Sequence, residues 1–368
     1  MKKKGKLKSA PIFLVKGVIR FTNFLRKLRT KILPPQVVLM EYSMEYIVMQ
    51  RCVFVAAELM LGNLLEDGPK PVAQLAKESG VNCDALYRVM RALAGIGIFR
   101  ERKDKIFENT RLSKCLSYGK KGTVASLAKL TGSDWMVRVW SDLLKSIETG
   151  KSHFQREYKK SFFSWLDENW EEYRIFDEGM VNLSGLSDDF IAAAYDFSQF
   201  ESLVDIGGGH GKQLTTILRG YPGLKGFLFD LKRVVEGGQI EDHIKDDLVK
   251  GRIEFINGNM FEFVPEGYCC YFLKSVLHDW PDEDVIKILT NCRKAMREDS
   301  KLLIVDMIIK GDNQLDLSKV LDVAMLILVD GKERTKDDFE DLFAKVGLKL
   351  SHIFPTASPY CIIEAVPI

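Results

Sequence analysis

Histidine at the exit of an apolar run is a residue type suited to proton chemistry. In FLKSVLHDWPDED (272–284), His278 follows a strand-like stretch and is followed by Asp279, Trp280 and a break at Pro281. A neutral imidazole, with an ordinary pKa of about 6.5, accepts a proton near neutral pH. The same residues have a plainer reading, in which Asp279 or Asp282 caps a helix beginning near Glu283. A second group lies in Asp205-Ile206-Gly207-Gly208-Gly209-His210-Gly211, between an apolar strand and a helical pattern from Lys212. Glycines here let backbone approach a ligand lying over the carboxyl ends of strands. Lys212 occupies the third glycine position of the dinucleotide fingerprint, which argues for a ligand lacking a pyrophosphate. Asp230 ends the next strand, nineteen residues after Gly211. A ribose-binding carboxylate is expected there, and a helix cap before Lys232 is the alternative. After the third strand, Asn259 offers an amide to an adenine edge and Met260 a thioether to its face.

These residues need a scaffold that brings several strand ends together. From Ser202 onwards, ESLVDIGG, KGFLFD, RIEFIN, CCYFLKS, KLLIVDM, LKLSHIF and YCIIEAV alternate with amphipathic helical stretches. That alternation predicts an α/β fold, an open and mostly parallel sheet covered by helices, with the last two segments as an antiparallel hairpin at its edge. From Glu41 to about Asp189 the periodicity is helical. Within it, residues 70–110 read as helix, turn at Gly80, second helix and a two-stranded wing turning at Lys103 to Lys105, a winged helix-turn-helix. A DNA-reading module would carry basic and amide side chains at the start of its second helix, where this chain has Asn82, Cys83, Asp84 and Ala85. The expectation is a structural module and no nucleic-acid partner.

At 368 residues, 46% hydrophobic and 28% charged, the composition is that of a globular protein of two domains, with no transmembrane run. Seven scattered cysteines without a C-x-x-C pair point to reduced thiols, a cytoplasmic setting and no metal site. The charge of +2 is unevenly spread: no acid precedes Glu41, while Lys2, Lys3, Lys4, Lys6, Lys8, Lys16, Arg20, Arg26, Lys27, Arg29 and Lys31 all do. Leu14, Val18, Phe21, Leu25, Leu28 and Ile32 fall on one helical face among them. Three roles are open for this basic amphipathic arm: packing on a partner subunit or on the body of the protein, peripheral membrane contact through residues 1–36, or targeting.

Taken in order, LVDIGGGHG, FLFDL, GNMF, FLKSVLHDWPDED and GKERT, behind a winged-helix domain, resemble the S-adenosylmethionine-dependent O-methyltransferases of the caffeic acid and acetylserotonin type. The resemblance covers roughly residues 41 to 368. Behind the basic arm (1–40), it implies a helical winged-helix dimerisation domain (41–189) and a Rossmann-like methyltransferase domain (190–368), assembled as a homodimer. It further implies that Asp205, Gly207, Gly209 and Gly211 shape the loop under the methionine part of S-adenosylmethionine. Asp230 would hold the ribose hydroxyls, Asn259 and Met260 would bracket adenine, and Lys274 would line the same pocket. His278 matches the general base that deprotonates a small-molecule hydroxyl, with Asp306 and Glu333 as the carboxylates flanking it. Phe176, Met180 and Met325 match positions lining the acceptor site, which favours a flat, apolar acceptor. Two departures stand out: Asn259 where relatives usually carry Asp, and Asp306 where many carry Glu. The shorter acid keeps non-methylating chemistry at the cofactor site open as an alternative; a DNA-binding regulator is the other.

Overall fold

The computed structural model describes residues 12–235 and 249–368. They form two compact units. One comprises Phe24–Leu143 and Glu157–Leu186; the other comprises Leu144–Arg156 and Ser187–Ile368 with the described residues up to Asn23.

The first unit contains the expected winged helix. Helix Val72–Ser79 stops at Gly80, whose left-handed φ of +67° a residue with a Cβ would resist. Helix Cys83–Gly95 then starts on Asn82, whose side-chain oxygen accepts the Ala85 N–H at 3.0 Å. Three short strands, β1 (Lys70–Pro71), β2 (Phe99–Arg102) and β3 (Ile106–Asn109), pair antiparallel in the order β1-β3-β2. Leu75, Leu86, Met90, Leu93, Phe99 and Phe107 close a common core beneath them. Two polar side chains of the second helix make contacts within the helix itself. Asn82 is the cap, and the Arg91 guanidinium lies 4.9 Å from the centre of the Tyr87 ring.

The second unit holds a seven-stranded sheet built from β4 (Ser202–Ile206), β5 (Lys225–Asp230), β6 (Ile253–Asn257), β7 (Cys270–Lys274), β8 (Lys301–Asp306), β9 (Leu348–Pro355) and β10 (Cys361–Pro367). The strand order is β6-β5-β4-β7-β8-β10-β9. The five strands from β6 to β8 run parallel, and β10 pairs antiparallel with both β8 and β9. The final hairpin thus forms one edge, as the sequence suggested. Alternate residues feed two separate cores: Tyr271 and Leu273 of β7 belong to one, Cys270 and Phe272 to the other. A parallel sheet covered on both faces requires such strands to be apolar throughout. From β4 the chain steps to β5 and β6 on one side, then returns to lay β7 and β8 on the other. The carboxyl ends of adjacent β4 and β7 therefore border the switch point, the usual ligand crevice of such sheets.

Helix Ile12–Ile32 is regular, and Leu14, Val18, Phe21, Leu25, Leu28 and Ile32 are all exposed on it. Lys2, Lys3, Lys4, Lys6 and Lys8 of the basic arm lie outside the described residues. Among the described residues no helix is long and apolar enough to cross a membrane.

Replacing Asn82 with Ala leaves an N-terminal amide of the second winged-helix helix without its acceptor. Such caps contribute about 1 kcal/mol, so a lower urea midpoint with unchanged circular dichroism is the expected result; an unaltered midpoint would show the cap to be inert.

Candidate active site

The chain leaves β4 through a loop that only glycine fits well. Gly207, Gly209 and Gly211 have φ of +66°, +56° and +71°. Gly208 has no room for a side chain: a Cβ there would sit 2.4 Å from Leu228 Cδ1 and 2.7 Å from the Asp205 carboxyl. The loop is tied to the neighbouring strand end, because the Gly207 N–H donates to Phe229 O at 2.8 Å and the Gly209 N–H to Asp230 Oδ2 at 2.9 Å. Asp230 Oδ1 accepts the Leu231 N–H at 2.7 Å. A carboxylate has about four lone-pair sites, so Asp230 keeps acceptor capacity toward the crevice. Asp205 is buried, and its Oδ2 has no hydrogen-bond partner among the described residues. Burial pushes its pKa up to about 7 against the opposing pull of Lys274. At the end of β7, the Lys274 ammonium meets Asp188 Oδ1 at 2.5 Å. Burial lowers the Lys274 pKa, and Asp188 counters that fall.

The histidine cluster forms where β7 and β8 end. Ser275 follows Lys274 at a φ of +53°, a strained value for a residue with a side chain, and the next turn, Leu277–Asp279, carries His278. His278 Nδ1 lies 2.8 Å from Glu333 Oε1. A carboxylate accepts, so Nδ1 carries the hydrogen and Nε2 is the nitrogen left to exchange a proton. The Asp279 carboxylate stands 3.6 Å from Nε2. Asp306, buried at the end of β8, has Oδ1 without a hydrogen-bond partner among the described residues, and it acts on the ring by charge alone. Burial would depress the imidazole pKa, but the charge of Asp279, the Glu333 hydrogen bond and the charge of Asp306 together lift it to about 10. Burial raises the Asp279 carboxyl to about 6, with His278 pulling the other way. Burial likewise raises Asp306, opposed by His278.

Neither acid near His278 caps the following helix. Helix Asp282–Ala295 has Pro281 at its cap position and no side-chain cap, while Asp282 Oδ1 accepts from Arg334 instead. The GKERT segment is brought against the histidine by its glycine: a Cβ on Gly331 would lie 2.1 Å from His278 O. Glu333 is set from behind, its N–H donating to Asp322 Oδ1 at 3.0 Å.

Other positions singled out in the sequence divide between the units. Asn259 Oδ1 accepts the Phe261 N–H at 3.1 Å and its amide nitrogen donates to Glu262, so the amide is held in a local turn with one carbonyl lone pair to spare. Met260 is half-buried against the core under β7, its carbonyl accepting from Asn291. Phe176 and Met180, half-buried, lie one turn apart on helix Trp170–Gly185 of the first unit. Phe176 meets Phe162 edge-on at 5.1 Å. Met325, also half-buried, lies on helix Leu317–Leu328 of the second unit. Asp188, Asp279, Gly331 and Arg334 belong to these sites and had not been singled out for roles there. Asp188 is 86 residues from Lys274, and no spacing could have paired them. Gly331 and Arg334 lay within a recognised motif, so a buried-charge reading of GKERT was the available signal.

Comparison with known proteins gives a consistent result. Residues 140–349 match an O-methyltransferase domain family, and residues 40–118 match an O-methyltransferase dimerisation domain. The phenazine O-methyltransferase of Lysobacter antibioticus is 37% identical over 86% of this chain and 92% of its own length. The mitomycin biosynthesis 6-O-methyltransferase of Streptomyces lavendulae is 34% identical over 85% of this chain and 90% of its own. A solved methyltransferase of calicheamicin biosynthesis, in its SAH-bound form, superposes with a TM-score of 0.80 at 30% identity, covering 91% of this chain and 98% of that one.

The raised His278 pKa has a definite sign. The protonated ring stabilises the fold fully below about pH 6.5, and that contribution is lost as pH rises through about 10. Imidazole NMR is expected to show His278 titrating far above the ordinary range, and Glu333→Gln is expected to bring it down; titration near 6.5 in the unaltered protein would contradict the acidic surroundings described.

Proposed function

Since this chain belongs to the O-methyltransferase family, we propose that it transfers a methyl group from S-adenosylmethionine to the hydroxyl of a flat, apolar small molecule, with His278 as general base. The observation that carries this reading is the His278–Glu333 pair at 2.8 Å, one strand over from the glycine loop of β4.

The residues at the switch point fit the cofactor. The glycine loop admits a ligand close to backbone, Asp230 has acceptor sites for the two ribose hydroxyls, and the partnerless Asp205 oxygen is a buried acceptor beside the same loop. Asn259 and Met260 are suited to the adenine edge and face. When bound, S-adenosylmethionine supplies a methyl group already activated by its positively charged sulfur. What remains for the protein is to position the acceptor and remove its proton.

Nδ1, fixed on Glu333, leaves Nε2 to take the acceptor proton, and the imidazolium that results is stabilised by Glu333, Asp279 and Asp306. The same acids limit the base: a ring that holds its proton up to about pH 10 is mostly charged at neutrality. Activity should therefore rise with pH above the ordinary imidazole range. The relatives named for phenazine and mitomycin chemistry support an aromatic acceptor, and Met325, half-buried in the unit that holds His278, is a side chain assigned to receive it. The dimerisation domain at 40–118 supports a homodimer.

The test is incubation with labelled S-adenosylmethionine and a panel of phenolic, indolic and quinone-derived acceptors. His278→Ala is expected to retain cofactor affinity within a few-fold while losing about 10²- to 10⁴-fold in transfer, the usual contribution of a positioned base. Failure of the unaltered protein to bind S-adenosylmethionine would end the proposal, and an undiminished rate in His278→Ala would remove the base from it.

A further inference from the structure

We propose that Arg334 is a positioning residue for the base, locking the His278 turn from both sides while its neighbour Glu333 holds the ring; the proposal rests on the role given above to His278. Arg334 is 1% exposed, the largest of the fully buried side chains. A guanidinium taken out of water costs several kcal/mol unless its donors are matched. Here they are. Nη1 donates to Leu277 O at 2.7 Å and Nη2 to Trp280 O at 2.8 Å. Nε and Nη2 both reach Asp282 Oδ1, at 3.1 and 2.9 Å.

The two carbonyls matter because of where they lie. Leu277 and Trp280 are the residues on either side of His278-Asp279, so the fork spans the base's own turn. A lysine would keep the charge but present one ammonium on a flexible stem, unable to hold both carbonyls in a fixed plane. The backbone of Arg334 adds a third tie, its carbonyl accepting the Ile309 N–H at 3.0 Å just beyond Asp306 and the end of β8. One dipeptide, Glu333-Arg334, thus connects the ring of His278, the turn that bears it and the strand end that bears Asp306. Gly331 permits this by letting the segment touch His278 O, where a Cβ would collide.

A residue that only supports the fold would, when replaced, alter stability and all activities together. A positioning residue alters proton transfer selectively. In Arg334→Lys we expect kcat to fall about 10- to 100-fold, the scale of a misplacement near 1 Å, with the Kd for S-adenosylhomocysteine within about twofold of the unaltered enzyme. The rising limb of the kcat–pH profile should shift toward the ordinary imidazole range, and the His278 ring should titrate lower by NMR, because the ring is released from Glu333. Asp282→Asn is the second variant. Asp282 is 43% exposed, so its loss is tolerable to the fold; it loosens the outer end of the fork and releases the Lys332 ammonium that meets Asp282 Oδ2 at 2.7 Å. It should show the same shifts at smaller amplitude.

The proposal is overturned if Arg334→Lys keeps its rate, pH limb and ring titration. It is also overturned if rate, cofactor affinity and melting temperature fall in parallel in both variants while the ring titration stays put. Because the ring titration requires no turnover, failure to find any methyl acceptor would count against the proposed function and leave the positioning test intact.

Discussion

A largely buried imidazole bonded to a fully buried carboxylate sets the terms for everything around it. Bringing His278, Glu333, Asp306 and Asp279 out of water together is costly unless each is held where its neighbours compensate it. His278 meets Glu333 at 2.8 Å, Glu333 is anchored through its backbone to Asp322, and the turn carrying His278 is tied to the buried guanidinium next in sequence to Glu333. The ends of β7 and β8 and the GKERT loop are thereby obliged to converge.

The same sheet separates two groups of polar side chains. β4 and β5 end in a glycine loop and a carboxylate that accepts from it; β7 and β8 end in the charged cluster. Adjacent placement of β4 and β7 brings the two sets side by side, while the switch in strand order opens a crevice at their junction. Lys274 stands at that border. Burial lowers its pKa and the pairing with Asp188 opposes that fall, beside Asp205, whose own carboxyl is raised by burial.

The acidic surroundings of His278 describe a compromise. Three carboxyl groups favour the charged imidazolium and reduce the neutral fraction of the ring, against the opposing effect of burial. The shorter Asp306 bears on this balance. It stays close enough to influence the ring by charge without a hydrogen bond, so Glu333 alone sets the tautomer.

Much of this was legible in the chain. Apolar runs alternating with amphipathic helices determined a mostly parallel sheet with an antiparallel end, and the helix-turn-helix with its wing followed from Gly80 and the periodicity around it. Positive-φ glycines at 207, 209 and 211 were implied by a turn that only glycine makes cheaply. His278 and Glu333 were legible through their motifs, although 55 residues apart. The rest had no local signature. Asp188 on Lys274 and the Arg334 fork across Leu277 and Trp280 are contacts between segments far apart in sequence. Local propensity and periodicity carry no information about such pairs, because they arise only when strand order is fixed and side chains lose their access to water. The sequence determined which residues could do the chemistry; only the tertiary structure decided which carboxylate touches the ring, since that depends on where the GKERT loop meets the ends of two strands.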